Sequence, residues 1–340
     1  MNVLELCALG TVIATLTALP IAQSASQPVT LEPWPREVED AGWKKPSQPP
    51  ARLAALIGEY GPEREPLYVY ERGGRLFTKL GRGTESAIGS DAFSRDAAGR
   101  ATGVTIAGSR YERRHVGPEE GLAQLHVTPL RPVADVLREA RVAQPPGESG
   151  EFLPADLVDV TSLDPTIKLD IRYASTNNFL ASVFYEEPRA FLQRPAAEAV
   201  VRAHRALARS GYGLLLHDGY RPWFVTKAFW DATPDDRKWL VANPANGSRH
   251  NRGAAVDLTL YDRTTGEVVE MPSTYDESTP RAYAFYPGGS ELQRWHRALL
   301  RRVMEAEGFT INPSEWWHFD YRDAAKYAIG NRPFSEIKGS

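Results

Sequence analysis

Two proline-rich stretches divide this chain and limit what each part of it can fold into. Residues 27–50 contain six prolines, and residues 144–150 read Gln-Pro-Pro-Gly-Glu-Ser-Gly. Proline lacks the amide hydrogen that helices and sheets use, so both stretches predict extended connectors. A length of 340 residues also favours about two domains. We therefore predict a linker at 26–50, a first domain at 51–132, a linker at 133–155 and a second domain at 156–340.

The segment before the first linker has the pattern of a signal peptide. Leu6 to Ala22 form an apolar run, and the small residues after it are typical of a cleavage site. We predict a signal peptide at residues 1–25 and export to the periplasm or out of the cell, with no stable membrane span after cleavage. Because residues 1–5 carry no Lys or Arg, the alternative is an apolar helix packed on the domain.

Composition excludes several kinds of site and partner. Cys7 is the only cysteine, so an internal disulfide and a CxxC site are impossible, and any metal must be bound by His, Asp or Glu. The chain has 40 basic and 43 acidic residues, a formal net charge of -3, and therefore no general attraction to nucleic acid or an anionic membrane. We expect a small-molecule partner and no nucleic acid.

The first domain has the pattern of a small, mostly antiparallel β structure. Leu67–Glu71 and Arg75–Leu80 alternate apolar and polar residues and flank two glycines, which predicts a hairpin. His115 and His126 have no partner at ligand spacing, so we expect neither to bind a metal. The pattern of this domain shows no concentration of catalytic residue types.

The second domain mixes helical and strand patterns without strict alternation, which predicts an α+β fold. Ser290 and Gln293 form the pattern of a capping box at the start of a helix that ends near Gly308. Further helices are predicted at 195–210 and 222–230, and strands at 167–173 and 212–217.

Three residues of this domain could together bind a metal. His250 and Asp257 would lie roughly 23 Å apart in a straight strand and about 10 Å apart in one helix, so sharing a metal requires a reversal, for which Asn251–Gly253 is suited. His318 would complete a set of two imidazoles and one carboxylate with an open position. That set is typical of catalytic zinc, and it also suits iron.

Two charged residues could serve hydrolysis at such a metal. Glu315 precedes His318 by three residues and is a candidate general base for an attacking water. Arg221, in the loop Asp218–Pro222, could stabilise an oxyanion. The alternatives are that each histidine is structural, that Trp316 and Trp317 are packing residues, and that Arg221 forms a surface ion pair. The residue pattern alone leaves both interpretations open.

Two of these segments carry a resemblance to a known family. Ser248–Asp257 matches the pattern SxHxxGxAxD, and Glu315–His318 matches ExxH. Both patterns resemble the zinc D-alanyl-D-alanine dipeptidases, the VanX-like branch of peptidase family M15 in the LAS or DD-peptidase superfamily. Asp170–Tyr173 and Asp218–Pro222 are also similar to that branch, and the resemblance covers about residues 156 to 335.

The resemblance implies a fold, a cofactor and a set of roles. The implied fold is Hedgehog/DD-peptidase-like, an antiparallel sheet flanked by helices. The implied roles are one Zn²⁺ per chain on His250, Asp257 and His318, Glu315 as base and later acid, Arg221 at the oxyanion, Ser248 and Tyr173 lining the pocket, and Asp276 pairing with the free ammonium of the substrate.

The activity expected from this resemblance is hydrolysis of D-Ala-D-Ala or a related D,D-dipeptide, linked to peptidoglycan metabolism. One alternative keeps the zinc site and acts on peptidoglycan as a D,D-carboxypeptidase or L,D-endopeptidase. Another is a non-catalytic protein that binds the cell wall. The first domain, at 51–132, lies outside the resemblance, and its expected roles are packing and association with the cell wall. A serine or cysteine hydrolase is disfavoured, because the chain has no GxSxG motif and Cys7 lies in the predicted signal peptide.

Overall fold

A computed structural model describes residues 44–81, 83–118 and 125–337, which belong to one compact unit, Trp34–Ser340. The predicted signal peptide and most of the first predicted linker lie outside the described residues. Residues 44–50, the described end of that linker, have no regular secondary structure. Within the described ranges, no helix is both long enough and apolar enough to cross a membrane.

The described part of the chain contains helices and strands in mixed order, which confirms the α+β prediction. The helices are α1 Ala51–Ala54, α2 Val133–Val142, α3 Val160–Leu163, α4 Arg194–Ala208, α5 Trp223–Ala232 and α6 Glu291–Ala306. The strands are β1 Gly58–Tyr60, β2 Leu67–Arg72, β3 Arg75–Leu80, β4 Glu85–Ile88, β5 Phe93–Arg95, β6 Ala101–Ile106, β7 Ser109–Glu112, β8 Leu157–Asp159, β9 Lys168–Leu169, β10 Phe191–Gln193, β11 Tyr212–Asp218, β12 Ala255–Asp262, β13 Phe309–Asn312 and β14 Glu315–Tyr321. Short 3₁₀ helices lie at Ser90–Ala92, Arg172–Ala174, Asp235–Leu240, His250–Arg252, Pro280–Ala282, Ala324–Lys326 and Phe334–Glu336.

The N-terminal part forms two small antiparallel sheets with a hydrophobic cluster of their own. Strands β1 to β4 pair in sequence order, and β5 to β7 form the second sheet. The predicted hairpin is present: β2 and β3 are joined by Gly73 and Gly74, whose φ angles of +57° and +73° suit a two-residue turn. Leu56 and Val104 are fully buried in the cluster of this region.

This β region contacts the larger domain at the start of α6. The Glu71 carboxylate accepts a hydrogen bond from the backbone N–H of Glu291, at a distance of 3.1 Å. Arg294 donates to the Glu71 carbonyl at 2.7 Å. Because the first amides of a helix lack partners within it, a carboxylate there stabilises the helix end and docks the hairpin on it.

Residues 133–155, which the sequence pattern predicted to be a linker, begin with a helix. Val133, Val136 and Ala140 of α2 are buried in the core of the larger domain, and α2 packs against α5. Their spacing of three and four residues places them on one face, which makes this segment part of the core. Residues 144–149, which include both prolines, have no regular structure.

The larger domain is built on a five-stranded sheet of order β13-β14-β12-β11-β9. Its sheet is mixed, which corrects the expected antiparallel arrangement: β9 pairs with β11 in parallel. The reason is the long connection through β10 and α4, since parallel neighbours need a crossover of this kind. The strand predicted at 167–173 shrinks to Lys168–Leu169, after which the chain turns into the 3₁₀ helix at Arg172.

Side chains along the central strands point alternately to the two faces of the sheet, and this separates core residues from site residues. Val256 and Leu258 of β12 belong to the main hydrophobic cluster, and Asp257 between them points to the other face of the sheet. The predicted capping box at α6 is present, with both reciprocal hydrogen bonds between Ser290 and Gln293. The helices α4 and α6 pack against each other and against this sheet.

Candidate metal centre and active site

His250, Asp257 and His318 meet at one end of the central sheet. One ligand atom of each lies within 4.8 Å of the others. Asp257 on β12 and His318 on β14 are directly paired partners in the sheet. His250 lies in the 3₁₀ turn at 250–252, and Gly253 ends this turn with a φ of +65°. The predicted reversal between His250 and Asp257 is therefore present.

Glycine is required at position 253 for two reasons. Its left-handed backbone conformation is strained for residues that have a Cβ. A Cβ atom there would also lie 2.5 Å from the Leu157 side chain. The turn that brings His250 back to Asp257 thus depends on this glycine.

The three side chains present their ligand atoms to a common point. Asp257 Oδ1 lies 3.0 Å from His318 Nδ1 and 3.4 Å from His250 Nε2. The two ring nitrogens, His250 Nε2 and His318 Nδ1, are 3.2 Å apart. Two imidazole nitrogens and one carboxylate oxygen in a buried cluster fit a divalent ion such as zinc.

Each histidine is oriented by a second contact on its other ring nitrogen. His250 Nδ1 lies 2.8 Å from the Gly219 carbonyl, which can only accept, so this nitrogen carries the proton. His318 Nε2 lies 3.0 Å from Asp320 Oδ1, and Arg249 pairs with Asp320 at 2.9 Å. These contacts leave His250 Nε2 and His318 Nδ1 as the nitrogens directed at the shared point.

Electrostatics at the cluster also favours a cation. Burial by itself would raise the pKa of Asp257, yet the charge of His250 and hydrogen bonds with both histidines hold it well below its ordinary value. Burial would lower the pKa of His318, but Asp257 and Asp320 raise it well above its ordinary value. A metal binds to neutral imidazoles and an ionised carboxylate, so metal binding at this cluster would release the proton that His318 otherwise retains.

Glu315 lies beside this cluster because of an irregularity in β14. Its Oε2 is 3.8 Å from His318 Nδ1, although residues three apart in a regular strand point to opposite faces. Between Ile311 and Asn312 of β13, the register on β14 jumps from Phe319 to Glu315, which marks a bulge. Such bulges redirect side chains near sites, and this one turns Glu315 towards His318.

The Glu315 carboxylate is held in place and its pKa is raised. Asn312 donates a hydrogen bond to Oε2 at 3.0 Å. The side chain is 40% exposed, so it borders solvent. Burial of its carboxylate nevertheless raises its pKa, the charge of Asp257 adds to this effect, and His318 opposes it.

Arg221 is buried, which excludes the surface ion pair considered above. Its Nε and Nη2 donate to Asp218 Oδ2 at 3.0 and 2.7 Å, and Tyr185 donates to Asp218 Oδ1 at 2.7 Å. Its guanidinium lies 5.1 Å from the ring centre of Tyr173 and 5.0 Å from that of Phe229. Among the described residues, Nη1 of Arg221 has no hydrogen-bond partner.

Ser248 and Trp316 occupy different surroundings. The Ser248 hydroxyl accepts a hydrogen bond from the His250 amide at 3.3 Å, so it supports the turn that carries this histidine. Trp316 and Trp317 are both buried, as the packing interpretation expected. Trp316 Nε1 donates to Ser273 at 2.8 Å, which ties β14 to the segment 271–277.

Asp276 holds a buried carboxylate oxygen without a protein partner. Its Oδ2 is buried and has no hydrogen bond among the described residues, and its φ of +63° is rare for a residue other than glycine. Burial raises its pKa to about 7, and the negative charges of Glu315 and Asp257 add to that effect. An unpaired buried carboxylate is costly, and strain of this kind is typical of functional sites.

We expect Asp276→Asn to stabilise the metal-free protein at pH 8. The folded-state pKa of about 7 lies above the ordinary value of 3.8, so folding favours the protonated form. Stability is then lost as the pH rises towards 7, and the amide, which stays neutral, avoids this loss. Calorimetry should give a Tm higher by a few degrees at pH 8 and a much smaller difference at pH 5. An equal difference at both pH values, or the same gain in the exposed control Asp236→Asn, would contradict this explanation.

Four contributors to the site received no role from the sequence patterns, although the loop that holds two of them was singled out. Asp218 and Gly219 lie in the same loop as Arg221, which could have indicated them. Asp320 lies two residues after His318 and therefore on the same face of β14, which could have indicated it as well. Tyr275, whose hydroxyl donates to Asp257 Oδ2 at 3.1 Å, lies in a loop without a distinguishing pattern.

Comparison with known proteins identifies the family. A family model described as D-Ala-D-Ala dipeptidase, peptidase M15, matches residues 154–339. The D-alanyl-D-alanine dipeptidase of Escherichia coli (strain K12) is 33% identical over 180 residues, covering 53% of this chain and 92% of that protein. The D-alanyl-D-alanine dipeptidase of Enterococcus faecium is 36% identical over 175 residues, covering 46% and 87%.

A solved structure of an LD-carboxypeptidase, titled for its peptidoglycan recognition, aligns with a TM-score of 0.31 and 18% identity over 59% of this chain and 88% of that chain. The family match covers more than half of the chain, and it includes the His-Asp-His cluster and Glu315. This chain therefore belongs to the D-Ala-D-Ala dipeptidase family of M15 peptidases.

Proposed function

We propose that this protein is an exported zinc dipeptidase that hydrolyses D-Ala-D-Ala or a related D,D-dipeptide, with a Hedgehog/DD-peptidase-like catalytic domain. The observation that carries the proposal is the buried, unpartnered Oδ2 oxygen of Asp276, which feels the negative charges of Asp257 and Glu315 at the His-Asp-His cluster. Relatives in the same family are named D-alanyl-D-alanine dipeptidases, in agreement with this substrate.

The free ammonium of a dipeptide is the natural partner of Asp276. A cation placed against Oδ2 would satisfy an atom that no described residue satisfies and would return the pKa of this carboxyl towards its ordinary value. A substrate whose amino group is acylated offers no such charge and leaves the carboxylate unpaired. The site would thereby select short substrates with a free N-terminus.

His250, Asp257 and His318 would hold one zinc ion. The ion would supply Lewis acidity and make a water acidic near neutral pH. Glu315 is placed to accept the proton of the attacking water while the new C–O bond forms at the scissile carbonyl. It then donates that proton to the nitrogen as the C–N bond breaks, which releases two D-amino acids. The raised pKa of Glu315 suits this exchange at neutral pH.

Arg221 is placed to stabilise the negative charge that develops on the carbonyl oxygen. Its guanidinium is fixed by two hydrogen bonds to Asp218 and lies over the ring of Tyr173, so it needs little reorganisation during the reaction. Nη1 is the atom left for this contact. Tyr173 would form the pocket wall beneath it, and Ser248 would border the pocket from the turn before His250.

We expect the purified protein to hydrolyse D-Ala-D-Ala with about one zinc per chain. Amine release and zinc content are to be measured on the same sample, before and after removal of the metal with a chelator. Activity should disappear when the zinc is removed and return when zinc is added. The His250→Ala variant should have neither bound zinc nor activity.

Turnover that persists without bound metal would refute the zinc mechanism. Fully loaded protein that cleaves no D-amino-acid substrate would favour the non-catalytic alternative. Export rests on the predicted signal peptide at residues 1–25, and N-terminal sequencing of the mature protein is the direct test of its cleavage.

A further inference from the structure

The two oxygens of the Asp257 carboxylate have different surroundings. Oδ1 lies 3.0 Å from His318 Nδ1 and 3.4 Å from His250 Nε2. Oδ2 accepts a hydrogen bond from the Tyr275 hydroxyl at 3.1 Å. The hydroxyl therefore binds Oδ2 and leaves Oδ1 as the oxygen that faces the two histidines.

We propose that Tyr275 is a positioning residue of the metal centre. Its hydroxyl holds the Asp257 carboxylate so that a single oxygen, Oδ1, meets the ion. This inference depends on the proposed function, because it requires metal binding by His250, Asp257 and His318. Contacts that orient a ligand from behind tune both the affinity and the geometry of the bound metal.

The ring of Tyr275 is fixed well enough to play this part. The side chain is buried, with 6% of the residue exposed. His217 stacks on the ring with centroids 4.2 Å apart, Trp317 contacts it edge-on at 5.3 Å, and the Arg172 guanidinium lies 5.4 Å from its centre. With the ring held on several sides, the hydroxyl has little freedom to leave Asp257.

Tyr275 also joins the metal centre to the residue proposed to read the substrate. It directly precedes Asp276, whose backbone conformation is strained, and the hydrogen bond from Trp316 to Ser273 anchors the same segment. The hydroxyl of Tyr275 and the carboxylate of Asp276 thus sit on consecutive residues. One segment of chain would position a metal ligand and bind the substrate ammonium.

The test is the zinc affinity of Tyr275→Phe, measured by competition with a chromophoric chelator. Phenylalanine keeps the ring and its contacts with His217 and Trp317, and it removes only the hydroxyl. We expect zinc binding to weaken by about 10- to 100-fold, and the visible spectrum of the cobalt-substituted protein to change because the carboxylate can reorient. Tyr261→Phe is the matched control, since Tyr261 is also a buried tyrosine and its hydroxyl donates to the Thr166 carbonyl, at 2.7 Å, instead of to a candidate metal ligand.

The outcomes separate a positioning role from a structural one. A general packing defect would lower the Tm of the metal-free protein and leave the cobalt spectrum unchanged, and that pattern would overturn the proposal. A zinc dissociation constant within about twofold of the wild type would overturn it as well. Failure of the wild-type protein itself to bind zinc would instead refute the proposed function, so the two failures are distinguishable.

Discussion

Glu315→Gln is expected to retain zinc and to lose D-Ala-D-Ala hydrolysis by roughly 10³-fold in kcat. The amide fills the same space and can still bond with Asn312, but it cannot accept the proton of the attacking water. Because Glu315 lies outside the His-Asp-His cluster, at 3.8 Å from His318 Nδ1, metal binding should change little. The measurement is steady-state kinetics with zinc content determined on the same samples.

A surface substitution of the same type provides the control. Glu305→Gln changes a carboxylate at the end of α6 whose ion pair, within the described ranges, is with Arg301 at 2.7 Å, and it should leave kcat unaltered. A near-normal rate in Glu315→Gln would rule out the assigned base. A loss of zinc in this variant would mean that Glu315 is a ligand.

N-acetylation of D-Ala-D-Ala is expected to reduce kcat/KM by about 10⁴-fold. The acetyl group removes the ammonium charge, and the buried Oδ2 of Asp276 is then left without a partner. Asp276→Asn should discriminate much less between the two substrates, because the neutral amide has no charge to neutralise. The discrimination of this variant should fall mainly because its activity on the free dipeptide is lost.

The comparison should include a peptidoglycan pentapeptide stem. Cleavage of the free dipeptide alone supports the dipeptidase proposal. Cleavage of the acetylated dipeptide or of the stem at a rate similar to that of the free dipeptide would contradict the role of Asp276. It would favour the alternative of a D,D-carboxypeptidase or L,D-endopeptidase. The N-terminal β region, which lies outside the family match, would then be a candidate for wall binding.

Much of the candidate site was accessible from local sequence patterns. The reversal between His250 and Asp257 was predicted because seven residues of regular structure would keep them apart, and glycine at 253 permits the turn. The helix α6 was predicted with its capping box, since Ser290 and Gln293 act within one turn. These features depend on neighbours in the chain, and local chemistry is enough to predict them.

Other predictions failed where packing overrides local pattern. Residues 133–142 were assigned to a linker because prolines follow closely, yet the apolar face of α2 is buried against α5. The run at 167–173 was read as one strand, but only Lys168–Leu169 pairs with β11. In both cases the deciding contacts come from residues tens of positions away in sequence.

The groups available to the site can be read from the residues alone: two imidazoles, three carboxylates and one guanidinium, with a glycine where the chain must reverse. How these groups are arranged around one another follows from packing between distant segments. The bulge in β14 turns Glu315 towards His318, and the segment 271–277 brings the Tyr275 hydroxyl to Asp257. These contacts join separate strands and loops, so they depend on how the sheet pairs and on what its faces bury, and no local pattern encodes that.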